Sequence, residues 1–445
     1  MRRAALLLCM SLAAGVLNGC GMPKPAEQFF KETGLTEKID EVTDAGTDTL
    51  LETIGELTEE TADSREGDTE SDAEASEDVS PLEIVSGLDN YTEKLWEGDT
   101  LFYNPADYYY YYTVLNAEEQ EIYNGLMQLI RNPSSTEYKK KLNVTINPST
   151  EEFTTEISRA YQAMIFDHPE YFWFRQNNGN FRYYYNPVAL SGDYTVMIQL
   201  TEAYENYETE MQTFNQAVQD FMADIDLSQP QEWIALQIHD KLIDLVQYDD
   251  ALAEQFTSSE ESAYDYGYSA YGALVANSRG EANTCVCDGY SYAYEYLLQM
   301  AGIPVTRVGG MGGTSGETAG PHSWNLVMLD GEWYETDPTW DDVALNIDPE
   351  DPDRDLLESA LADQDYSNKL HHHLYNRTTE GMNSFEPDWT YAYYWEDGSY
   401  ATFLSSSVHI RDSEESSDDG DYLSRYAPTA TGTQFSYENM MEITE

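Results

Sequence analysis

An α+β fold is predicted by three features of the sequence. Cys287-Asp288-Gly289-Tyr290-Ser291 opens a run in which Tyr290, Ala293, Tyr294, Leu297 and Leu298 recur at helical spacing, and Gly302 with Pro304 ends it. Two apolar stretches after that helix, around 303–308 and 322–329, read as strands. Asp330-Gly331 is a two-residue hairpin signal that returns the chain through 332–337, and Pro338 stops the return strand. A helix packed on an antiparallel sheet is the expected core.

The composition excludes several partner classes. The chain has 445 residues with 83 acidic against 22 basic side chains, a formal charge of −61, so it lacks the basic surface that nucleic acid or anionic lipid would need. Its four cysteines, Cys9, Cys20, Cys285 and Cys287, are too few for a disulfide scaffold of this length and do not form the paired spacings of a structural zinc site. No cofactor and no metal are expected.

Taken in order, residues 1–20 have the form of a lipoprotein signal peptide. Arg2 and Arg3 precede an apolar run from Ala4 to Val16, and Leu17-Asn18-Gly19-Cys20 resembles a bacterial lipoprotein processing site. Cys20 is then the lipidated residue, and only Cys285 and Cys287 remain as thiols. Residues 21–81 read as an acidic tether. Between Glu56 and Val79 there are eleven carboxylates, one base (Arg65) and no aromatic, so too little apolar surface exists to offset the entropy of ordering. This places the remainder on the extracellular face of a bacterial membrane, anchored through the lipid, and as a monomer.

Residues 82–225 read as a mostly helical region. Asn116 with Glu119 makes a capping pattern before Ile122, Leu126, Leu129 and Ile130, and Ser149 with Glu152 repeats it. Asp167-His168-Pro169 leads into an aromatic cluster, where His168 is expected to be structural. A short hairpin is expected at 181–185 and 194–200, before a long helix through Met211, Phe214, Val218 and Phe221. The run Tyr108–Tyr112 has no evident role in the sequence alone. Residues 226–411 form the next unit, with its core at 231–342. Its first helix is expected to be capped by Ser228 and to end at Tyr248-Asp249, with a loop at 251–261. Gly309–Gly320 lacks the lysine of a phosphate loop and reads as a flexible loop. A further hairpin around Asp397-Gly398 is expected to complete the sheet or to flank the cleft, and residues 412–445 read as an acidic tail.

The chemistry gathers on three residues. A cysteine at a helix N-terminus meets unpaired N–H groups and the positive end of the helix dipole, which favour thiolate. In the hairpin, Leu329 opposite Glu332 puts Trp324 opposite Asp337. His322, two residues before Trp324, lies on the same face and diagonal to Asp337. Cys287, His322 and Asp337 thus suggest a nucleophile, a base and an orienting carboxylate.

These residues carry a family resemblance. Cys287-Asp288-Gly289-Tyr290-Ser291, Ala301-Gly302-Ile303-Pro304, His322-Ser323-Trp324-Asn325 and Asp337-Pro338-Thr339-Trp340-Asp341-Asp342, with Ser269–Leu274 upstream, resemble a bacterial transglutaminase-like domain. The resemblance implies a papain-like core and a Cys-His-Asp triad in which Cys287 attacks an amide carbonyl. Cys285 stands where many relatives have glycine. A strained Cys285–Cys287 disulfide would act as a redox switch.

The expected activity is a cysteine hydrolase that cleaves peptide or isopeptide bonds of a protein or peptide substrate, with cell-wall material among the options. The alternatives are a crosslinking acyltransferase and a non-catalytic binding module. The backbone N–H of Cys287 is expected to bind the oxyanion, with Tyr248 as candidate second donor. His371-His372-His373 is expected at the surface or in a loop, since adjacent side chains diverge, and the acidic stretch Asp412–Asp421 lacks a calcium-loop pattern.

Overall fold

In the computed structural model, residues 109–444 are described, apart from 131–132, 147–151, 177–180, 188–193, 205, 258–263, 314–318, 343–353, 384–391, 395–397, 399, 403–407 and 412–421. Cys20, the acidic tether and the stretch Asp412–Asp421 therefore lie outside the described residues. Among the described residues, no helix is long and apolar enough to cross a membrane.

The first part of the chain carries α1 (Tyr110–Val114), α2 (Ala117–Ile130), β1 (Lys139–Ile146), α3 (Glu152–Asp167), α4 (Phe172–Gln176), β2 (Phe181–Pro187), β3 (Tyr194–Leu200) and α5 (Tyr207–Met222). The capping box of α2 forms as its spacing requires: Asn116 Oδ1 accepts from the N–H of Glu119, whose carboxylate accepts from the N–H of Asn116. Beside these helices, the expected hairpin of β2 and β3 is extended by an unforeseen strand, β1, into a three-stranded antiparallel sheet in the order β1-β3-β2. Strand β1 escapes a sequence reading because it opens with three lysines, and among its residues whose burial is described only Leu142 and Val144 are buried apolar ones.

The tyrosine run gains a role from tertiary contacts. The Asp167 carboxylate, at the end of α3, accepts from the backbone N–H of Tyr111 (3.0 Å) and Tyr112 (2.9 Å) and so holds the start of α1. The hydroxyl of Tyr111 in turn donates to the carbonyl of Arg307 at 2.6 Å, which ties this part of the chain to the strand that follows the Cys287 helix. Burial pushes the Asp167 carboxyl up to about 7. His168 packs among Tyr109, Tyr123 and Tyr171, as a structural histidine would.

The second part carries α6 (Gln231–Leu245), β4 (Gln247–Tyr248), α7 (Asp250–Thr257), α8 (Ala270–Leu274), β5 (Thr284–Cys285), α9 (Cys287–Met300), β6 (Val305–Gly313), β7 (Gly320–Leu329), β8 (Glu332–Thr336) and α10 (Pro338–Asp341). There follow α11 (Arg354–Leu361), α12 (Gln364–Leu370), α13 (Thr379–Met382), β9 (Ala392–Tyr394), β10 (Tyr400–Thr402), β11 (Val408–Arg411) and α14 (Tyr437–Thr444). Pro230, not Ser228, sits at the N-cap of α6, because the Ser228 side chain bonds Asp226 instead. The expected loop at 251–261 opens with helix α7.

The main sheet is antiparallel in the order β11-β6-β7-β8. Along β7 the faces alternate. Val327 and Leu329 join the large core with Tyr290, Ala293 and Leu297 of α9, while Trp324 and Leu326 form a smaller core with Val308, Leu374, Met382 and Ala430. The hairpin has the expected register, with Leu329 opposite Glu332 and Asn325 opposite Thr336. Asp330 and Gly331 both take positive φ, 49° and 83°, as a two-residue turn of this hand requires.

Two expectations about the outer strands are corrected. The glycine-rich segment is not a loop from Gly309 onward: β6 continues to Gly313, and 314–318 lie outside the described residues. Its glycines serve close approach, since a Cβ at Gly310 would collide with the carbonyl of Ile410 in β11. The hairpin of β9 and β10 forms a two-stranded sheet of its own, and β11 completes the main sheet instead.

The expected acidic tail is also corrected. From Tyr422 the chain is packed: Leu423, Ala430 and Met440 are buried, the Ser424 hydroxyl accepts from the N–H of Gly309 at 2.7 Å, and Gly432 lies flat against the Tyr334 ring. Apolar residues spaced through this segment fill the core from outside, and most of the acidic charges that colour its composition sit before it.

Candidate active site

Helix α9 starts at Cys287, with Val286 extended at its N-cap. Cys287 is 4 % exposed and Cys285 is fully buried. The turn needs the glycine at 289: a Cβ there would collide with the Cys285 side chain and approach the carbonyl of Gly267 to 2.9 Å. Cys285 is thereby turned beneath the helix. Burial, with Cys287 next in effect, pushes its thiol pKa well up, so it is no rival nucleophile. Neither cysteine is in a disulfide in this structure.

The structure brings His322 and Asp337 together. Asp337 follows β8 and caps α10, its Oδ1 accepting from the N–H groups of Thr339 (3.0 Å) and Trp340 (3.4 Å). Its Oδ2 lies 2.7 Å from His322 Nε2. The same ring hydrogen-bonds Cys287, with Nδ1 as the nitrogen left for the sulfur. Burial disfavours charge on His322, but attraction to Asp337 and the bonds to Asp337 and Cys287 outweigh it and raise its pKa to about 10. For Asp337, burial acts upward, yet His322 and then His409 hold its carboxyl well below the usual carboxylate range.

The backbone gives the His322 ring its place. A Cβ at Gly312 would lie 2.9 Å from the ring carbons of His322, inside normal contact. Gly312→Ala therefore displaces the ring, and a shift of this kind lowers activity by roughly ten- to a hundredfold. Steady-state rates of Gly312→Ala, with folding checked by circular dichroism and the His322 ring followed by NMR, test whether position 312 acts through His322.

Around the cysteine the helix is fastened to β7 by polar contacts. Ser291 donates to the carbonyl of Cys287 (2.7 Å) and lies 3.0 Å from the Ser323 hydroxyl, and Asn325 donates to the carbonyl of Ser291 (3.0 Å). Asp288, next to the cysteine, pairs with Arg307 of β6, and Ser323 donates to the same carboxylate at 2.9 Å. The Arg307 guanidinium lies 4.8 Å from the ring centres of both Phe166 and Tyr292.

Tyr248, the candidate oxyanion donor, is half-buried in β4 and pairs with Cys285 in a parallel bridge, two residues from Cys287. Two groups of described residues have donor atoms within 4.8 Å of one another and could hold a cation: His239, Asp240 and His372, and His322, Asp337 and His409. Of the three consecutive histidines only His372 enters such a group. The three histidines lie in the turn after α12, and of them His372 and His373 are buried rather than at the surface; the His372 ring stacks on Tyr437 of α14 at 3.7 Å.

Sequence reasoning missed His409, Arg307 and the role of Asp288. His409 Nε2 lies 2.9 Å from Asp337 Oδ2. The only local sign of it is the alternation in Val408-His409-Ile410-Arg411, which places no partner.

Residues 228–338 match the family model described as the transglutaminase-like superfamily, so this part of the chain is a transglutaminase-like domain. It has the helices and the antiparallel sheet of that fold. Among solved structures, one titled "Crystal structure of a TGase" is similar at 14 % identity and a TM-score of 0.25, over 37 % of this chain and 46 % of that one. The chain thus spans less than half of that protein. No curated protein sequence matches the chain.

Proposed function

We propose that the chain is a cysteine hydrolase of the transglutaminase-like type that cleaves peptide or isopeptide amide bonds. The observation that carries this is the His322 ring held between the Asp337 carboxylate and Cys287 at the start of α9. The thiolate attacks the amide carbonyl, a C–S bond forms, and the oxyanion is held by the N–H groups at the helix start, with Tyr248 as candidate second donor. Protonated His322 gives its proton to the leaving amine, the C–N bond breaks and a thioester remains. His322, now neutral, takes a proton from water, the hydroxide attacks, and the acid leaves as the thiolate returns. An amine in place of water would give a crosslink.

A peptide substrate incubated with excess primary amine and followed by mass spectrometry separates the two fates. The acid product dominates for a hydrolase. Amine adduct in excess would show an acyltransferase instead.

The charged His322 leaves a mark on stability. Its pKa rises from 6.5 to about 10 in the folded state, so its contribution is fully present below pH 6.5 and is lost as pH rises through about 10. Thermal unfolding between pH 6 and 10.5 is expected to show a larger fall for the wild type than for His322→Gln. Parallel curves for the two proteins would contradict a charged, paired His322.

The setting proposed from the sequence is the outer face of a bacterial membrane, with the lipid on Cys20 as anchor and a protein or peptide as substrate. Metabolic labelling with an alkyne fatty acid, lost in Cys20→Ser, tests the anchor.

A further inference from the structure

Strand β11 carries a second imidazole to Asp337 from 72 residues further along the chain. His409 pairs with Gly312 of β6, the glycine against which the His322 ring rests. Its Nε2 is 2.9 Å from Asp337 Oδ2, the same oxygen that His322 Nε2 approaches to 2.7 Å. An ionised carboxylate only accepts, so both rings donate through Nε2.

The two rings differ at their other nitrogen. That of His322 has Cys287 as partner. His409 Nδ1 is buried and has no hydrogen-bond partner. A proton there would leave a buried, unsatisfied N–H on a cation, which is costly, whereas a bare lone pair is tolerated. His409 is thus the neutral Nε2–H tautomer, a fixed donor, while His322 is free to carry protons.

The surroundings lock this second ring. Trp340 and Trp324 lie 4.8 and 5.0 Å from the His409 ring, and both also flank His322 at 5.4 and 6.0 Å. Trp324 donates to Glu335 at 2.6 Å, and Glu335 pairs with Arg411, two residues beyond His409. With Thr339 and Trp340 on Oδ1, the Asp337 carboxylate receives four donors and has no freedom to rotate.

We propose that His409 is a positioning residue: its Nε2–H fixes the Asp337 carboxylate so that Asp337 holds His322 in the tautomer that faces Cys287. This rests on the reading of Cys287 as nucleophile. It also makes the site depend on a strand outside the matched residues 228–338.

The test uses the full chain with His409→Leu and His409→Gln. Alkylation of Cys287 by iodoacetamide is followed from pH 5 to 10 by mass spectrometry of its peptide. The Leu variant is expected to lose about tenfold in rate near neutral pH, its profile moving toward that of an ordinary thiol, while the Gln variant, whose amide can donate to Asp337, stays within about threefold of wild type. A folded Leu variant with the wild-type rate and profile overturns the proposal. Equal losses in Leu and Gln also overturn it, since packing alone would then explain them.

A second measurement needs no variant of His409. In the wild-type imidazole ¹⁵N spectrum, His409 should carry its proton on Nε2 with Nδ1 bare, and Asp337→Ala should shift that Nε2–H resonance. A charged His409, or one protonated on Nδ1, overturns the proposal. If wild-type Cys287 alkylates as an ordinary thiol at every pH, the hydrolase reading fails and the proposal with it. A fast wild type with an equally fast Leu variant sinks the proposal alone.

Discussion

Cys287→Ala is expected to abolish the proposed amide cleavage, lowering turnover by roughly 10⁴- to 10⁶-fold, while leaving the fold intact. The expected size follows from the arrangement: without the sulfur there is no thioester, and His322 has nothing to activate. The fold survives because alanine keeps the helical backbone of α9, and the Ser291 hydroxyl bonds the carbonyl at 287 rather than the side chain. Cys285→Ala is the control. Cys285 is fully buried beneath Gly289 and its thiol is held neutral, so its loss leaves activity within a few fold and instead costs about 1 kcal/mol of stability for the buried sulfur. Turnover of a labelled peptide by both variants, with unfolding curves, checks the pair. Full activity in Cys287→Ala would remove the nucleophile from the mechanism.

The second large effect is expected at Arg307. The guanidinium is fully buried, paired with Asp288 and flanked by Phe166 and Tyr292. Burial opposes its charge, but Asp288 dominates and keeps it charged. Arg307→Leu leaves the Asp288 carboxylate buried without its cation, which costs about 3–5 kcal/mol. Asp288 also stands beside Cys287, so an uncompensated negative charge there disfavours thiolate and slows alkylation at neutral pH. Urea unfolding midpoints read the first effect and iodoacetamide rates the second. Arg307→Leu combined with Asp288→Asn should regain part of the stability, because the stranded charge is gone. A single variant as stable as wild type would mean that the pair contributes nothing net.

Local chemistry made the central part of this site legible. The period of Tyr290, Ala293, Leu297 and Leu298 specifies a helix, Gly289 fits its first turn and Gly302 follows its end, and Asp330-Gly331 selects a turn of one hand. From that turn the register follows by counting, because side chains alternate with a period of two and a slip would move every residue to the other face. His322 and Asp337 could thus be paired from the sequence, and the pair is present at 2.7 Å.

The rest depended on partners far apart in the chain. His409 reaches Asp337 only because β11 joins the edge of β6, a pairing no local pattern encodes. Arg307 and Asp288 read as ordinary charged residues until two aromatic rings and a buried carboxylate surround them. The glycines of 309–313 resemble a loop by composition, yet they are strand residues, and Gly310 and Gly312 are kept bare by the nearness of Ile410 and His322. By itself, then, the sequence determined the helix start, the hairpin and the pairing of His322 with Asp337, since these follow from spacing and turn geometry. Tertiary structure alone decided which outer strand closes the sheet, which charges are buried and what holds Asp337, since those depend on burial and on contacts that form only when distant segments meet.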